Sequence, residues 1–146
     1  MNKWLWVVIV LYTSWLDAGT KNFGLVHRFV LQKDQIAEVI IKKDYPKTYA
    51  KEGVLQFRWT LFQNRRLVLL VDYEGFKSQY ILEPKFGRRS IRIYLTGDYK
   101  RIDHRPFVLL TFERFDRSKK RAHMLAEFSD PAKRLEIKIT QPKKQR

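Results

Sequence analysis

The sequence predicts an all-β domain, mainly antiparallel, built as a β-sandwich or small barrel of about eight or nine short strands. Three observations point there. Apolar and polar residues alternate with period two along most of the chain, turn-forming residues punctuate it every ~10–15 residues, and no repeat or low-complexity linker interrupts the pattern.

The elements follow in order. Residues 31–43 place Ile36, Val39, Ile40 and Lys43 at helical spacing, but Val39-Ile40-Ile41 is a β-branched run, stiff at χ1, so a strand is expected. Residues 43–53, with Tyr45-Pro46 and Tyr49, form the longest stretch without a strand pattern. From Val54 to Phe62 the residues Leu55, Phe57, Trp59 and Leu61 alternate with Gln56, Arg58 and Thr60, the signature of a strand with one buried face. Gln63-Asn64-Arg65-Arg66 reads as a four-residue connection to a partner strand at Leu67 to Tyr73, and Glu74-Gly75 marks the next turn.

Gln79 to Glu83 is expected to be a short strand stopped by Pro84. In Ser90 to Thr96, Ile91, Ile93 and Leu95 lie opposite Arg92 and Tyr94, and Gly97-Asp98 ends the run. Phe107 to Phe115 is apolar on both faces, which suits a central strand, with Pro106 at its start where a missing donor matters least. Arg121 to Phe128 fits a helix through Ala122, Leu125 and Ala126, or a strand with Ala122, Met124, Ala126 and Phe128 on one face; the strand is expected. Asp130-Pro131 suits the first two positions of a type I turn, a helix start being the competing reading. The last strand alternates Leu135, Ile137 and Ile139 with Glu136, Lys138 and Thr140, and Gln141-Pro142 with a basic tail closes the fold.

The chain opens differently. Lys3 precedes an uncharged run of thirteen residues, Trp4 to Leu16, that stops at Asp17-Ala18-Gly19-Thr20. A short positive region, an apolar stretch and a small residue at the junction make a secretory signal, with cleavage expected after Ala18 and residues 19–146 left as one β-rich domain. Thirteen helical residues span only ~20 Å of a ~30 Å hydrocarbon core, so spanning is disfavoured. An uncleaved anchor held by Trp4, Trp6 and Trp15 is the alternative, and the only membrane attachment the sequence suggests. Without cysteine there is no lipid attachment at this junction, no disulfide and no thiolate metal site.

The formal net charge is +15, and because Lys3 and Asp17 cancel, cleavage leaves all of it on the domain. Such a field attracts polyanions and favours solubility, without specifying a fold. Basic residues cluster at Arg65-Arg66, Arg88-Arg89 with Arg92, Lys100-Arg101 with Arg105, Arg117 with Lys119-Lys120-Arg121, and Lys143-Lys144 with Arg146. Most fall in turns, where cations also keep sheet edges from pairing with other chains. Arginine forks suit phosphate or carboxylate oxygens, and Tyr94 and Tyr99 could stack on sugars or bases. By alternation Arg58, Arg92 and Lys138 face solvent, so Arg58, Arg88, Arg89, Arg92 and Lys138 are the candidate polyanion-binding residues on a basic sheet face.

No catalytic constellation stands out. His27, His104 and His123 are far apart and none has metal-ligand spacing, so neither metal nor cofactor is expected. Six glycines form no phosphate-cradling or nucleophile-elbow motif. Asp103-His104-Arg105 reads as a solvated turn before Pro106. Glu74, Glu83, Glu113 and Glu127 could supply paired carboxylates only through folding, and Glu113, flanked by Phe112 and Arg114, is expected in a structural ion pair. The sequence thus favours an exported, non-enzymatic binding domain, an accessory or structural protein whose partner is an anionic envelope component or another envelope protein. A cytoplasmic nucleic-acid-binding protein is the alternative, lacking a recognisable motif, and an envelope-polymer hydrolase the lesser one.

Overall fold

A computed structural model describes residues 24–43, 52–95, 105–131 and 133–143. The signal segment and its junction at Ala18, the stretch 44–51, the Asp103-His104 pair, Tyr99 and Lys100-Arg101 lie outside these residues, as does the tail beyond Lys143.

Among the described residues, alternation of apolar and polar side chains produces nine strands: β1 (Leu25–Gln32), β2 (Ile36–Lys43), β3 (Glu52–Gln63), β4 (Arg66–Tyr73), β5 (Phe76–Leu82), β6 (Ser90–Tyr94), β7 (Phe107–Asp116), β8 (Arg121–Ser129) and β9 (Leu135–Lys143). They form two antiparallel sheets, one ordered β1-β8-β7-β6 and the other β5-β4-β3-β2-β9. The all-β class is as the sequence predicts. From β1 to β8 the chain runs up and down, crossing between sheets at β1–β2 and β5–β6, and β8 returns to pair with β1.

Both ambiguous segments are strands, and in β8 the residues Ala122, Met124, Ala126 and Phe128 are all buried. β7 lies between β6 and β8, the central position its two apolar faces suit. At Asp130-Pro131 the chain turns, with the Lys133 amide donating to the Asp130 carbonyl and the Leu135 amide to its carboxylate.

Three expectations change. β1, unread in the sequence, takes Leu31 and Gln32, because its outward Val26 and Val30 blur the alternation. The β3–β4 connection is two residues, Asn64-Arg65, not four: both have positive φ, as a type I′ turn requires, and Gln63 pairs with Arg66. Leu61 is not in the core. A β-bulge between Trp59 and Leu61 adds one residue to β3, which turns Leu61 outward and Phe62 inward.

The inner faces meet in one apolar core around Phe29, Phe57, Phe112 and Phe128. Each such ring contributes ~1.5–3 kcal/mol by leaving water. Polar ties join the sheets at both ends: the Trp59 indole donates to the Leu31 carbonyl at 2.8 Å, and the Tyr73 hydroxyl donates to the Leu95 carbonyl.

Candidate polyanion-binding end

An up-and-down chain brings every second connection to the same end. Here these are β1–β2 with Lys33, β3–β4 with Arg65, β5–β6 with Lys85, Arg88 and Arg89, and β7–β8 with Arg117, Lys119 and Lys120. Basic clusters far apart in sequence therefore converge. The opposite end mixes charges, with Glu52, Glu74 and Asp130 beside Lys133 and Arg134.

Of the carboxylates at the cationic end, which include Asp34 in the β1–β2 turn, Glu83 and Asp116 are engaged locally. Glu83 accepts from the Arg66 guanidinium at 3.1 Å. Asp116 accepts from the Ser118 hydroxyl at 2.6 Å and the Lys119 amide at 3.1 Å, bonds that hold its carboxyl below the usual range, the Ser118 bond foremost. That arrangement fixes the β7–β8 turn and leaves its cations to solvent. Among the described residues Lys33, Arg65, Arg117 and Lys120 form no ion pair.

These four cations surround a depression of about 470 Å³. Its wall is aromatic, and two bulges create it. The one in β3 turns Phe62 inward, and a second in β7 between Phe112 and Arg114 does the same for Phe115. The two rings stack at 3.9 Å with 14° between planes, and Trp59 meets Phe115 edge-on at 5.4 Å. Thr60, Gln63 and Asn64 add polar groups, and no carboxylate lines the space. A second depression, on the outer face of the larger sheet, contains Arg58 but also Asp72, and a third includes Asp130. Cations, amides and a hydroxyl around an apolar wall can hold and orient an anion.

The five residues selected from sequence are not brought together. All face solvent or a solvent-facing side, as alternation predicts, but on different surfaces. Arg58 and Lys138 lie on the outer face of the larger sheet, in different cross-strand rows, Lys138 beside Ile40 and Arg58 beside Leu70. Arg92 is on the outer face of the smaller sheet, over the Phe107 ring at 4.3 Å. Only Arg88 and Arg89 belong to the cationic end. Lys33, Arg65, Arg117 and Lys120 were the residues to single out, and their signal was the recurrence of cations at alternate turns.

The carboxylates considered for catalysis are separated. Glu74 pairs with Lys43, Glu83 with Arg66 and Glu113 with Arg28, the last at 3.3 Å across the face of β8. His27 packs against Phe29, whereas His123 lies on the outer face of the smaller sheet. Among the described residues no group of three histidines or carboxylates could hold a metal. No protein-family model matches the chain, and neither a curated protein nor a solved structure matches it.

Proposed function

We propose that the protein is an exported, non-enzymatic β-domain that acts by binding, an accessory or structural component whose cationic end engages an anionic partner in the cell envelope. The observation that carries this reading is the convergence of alternate, basic turns around a depression without carboxylates. The Trp4 to Leu16 run supports export, and the +15 charge supports attraction to polyanions over a Debye length of ~8–10 Å.

Elution from immobilised heparin against salt tests the binding site. Arg65→Glu, Arg117→Glu and Lys120→Glu are expected to elute at clearly lower salt, and Arg92→Glu and Lys138→Glu close to wild type. Equal elution of all five would remove the cationic end as the site. Intact mass after cell fractionation tests export: a cytosolic protein retaining Met1 to Ala18 would overturn it in favour of the nucleic-acid reading.

A further inference from the structure

We infer that the outer face of β3, β4 and β5 next to the cationic end docks on an anionic lipid bilayer. This rests on the proposed anion-binding role and names the partner. The β3 bulge turns Leu61 outward, where register places it beside Val68 of β4, and Val68 beside Ile81 of β5. The three form an apolar row on the solvent side of the sheet, with Leu61 50% and Ile81 57% exposed. Phe86, 64% exposed, follows in the 3-10 turn Pro84–Phe86 that leaves β5.

Cations border the row: Arg65 and Arg66 in the hairpin joining β3 to β4, Lys85 beside Phe86, and Arg88. The carboxylate among them, Glu83, is neutralised by Arg66. Charge complementarity selects the occupant. A second copy of a +15 chain would be repelled, and a soluble polyanion would leave the apolar row in water. An anionic bilayer meets both features, placing phosphates against the cations and apolar side chains at the acyl boundary. The contact is peripheral, since the two sheets bury their main apolar faces against each other.

The chain has no cysteine, so single-cysteine labelling reads depth directly. An environment-sensitive fluorophore at Leu61→Cys or Ile81→Cys is expected to shift to the blue on vesicles of phosphatidylcholine with phosphatidylglycerol, and not on phosphatidylcholine alone. The same label at Phe76→Cys, at the opposite end, is expected to stay in water whichever vesicle is used. The double variant Val68→Ser/Ile81→Ser should lose about tenfold or more in affinity for the anionic vesicles while eluting from heparin as wild type does. Labels at positions 61 and 81 that remain in water while heparin binding persists would overturn the bilayer and leave the anion-binding role standing. A wild-type protein that binds neither the anionic vesicles nor heparin would overturn the two together. A double variant that changes only self-association would assign the row to a second copy and overturn the bilayer.

Discussion

The Glu74 carboxylate reaches the Lys43 ammonium at 2.6 Å through the space that Gly53 leaves by having no side chain. A Cβ at position 53 would lie 2.7 Å from the carboxylate oxygen, so any larger residue displaces Glu74. Lys43 is 7% exposed at the end of β2, with the Tyr73 ring 5.7 Å from its nitrogen, and loses its partner when Glu74 moves. Glu74→Ala is expected to cost ~2 kcal/mol, below the value for a fully buried pair because Glu74 is partly solvated, and Gly53→Ala less, because the tip of the Glu74 side chain can shift. The double variant should cost little more than Glu74→Ala alone, because both act on the same contact. Urea denaturation of the four proteins checks this.

Arg65 occupies a left-handed position, φ 63°, in the turn that lines the cationic depression. A side chain there is strained by roughly 1 kcal/mol relative to glycine. Arg65→Gly is expected to raise stability by up to about that amount while lowering the salt needed to elute the protein from heparin. A variant that gained stability and kept full affinity would show that Arg65 is not held there for its charge.

Trp59→Phe keeps the ring against Phe115 but removes the indole donor to the Leu31 carbonyl. The buried oxygen is left unpaired, and a loss of ~1–2 kcal/mol is expected. Thermal unfolding measures it, and hydrogen exchange should rise in β1, the strand held by that bond.

Two groups contribute to the acid side of the stability profile. His123 is held below its ordinary value of 6.5, first by desolvation and then by Arg114 and Arg121, against the opposing pull of Asp116 and Glu113. The unfolded chain therefore binds this proton more readily, and stability falls as pH drops from about 6.5 to the folded value. Asp116, held below 3.8 by Ser118 and the Lys119 amide, contributes stability above that value that is lost as pH falls through its folded one. His123→Gln should flatten the first slope and Asp116→Asn the second, read as urea midpoints against pH.

The strands were legible where side chains separate cleanly by polarity. In β3, Leu55, Phe57 and Trp59 alternate with Gln56 and Arg58, and period two suffices. The bulges were not legible, because Leu61 and Phe62 are both apolar and only the pairing with β4 shows which one faces inward. The same holds for the site. Arg58 and Lys138 were placed outward from their own strands, but which face each shares depends on strand order, which local periodicity does not encode. Arg65 and Arg117 meet only because alternate turns of a meander share an end.

Among the described residues β1 pairs with β8 alone, with Leu25 opposite Phe128 and Gln32 opposite Arg121. β9 completes the other sheet by pairing with β2. In a chain delivered N-terminus first, the hairpins β2–β3–β4–β5 can form as they emerge, while β1 must wait for nearly the whole sequence. Closure of the smaller sheet by β1 is thus delayed by topology until β8 is available.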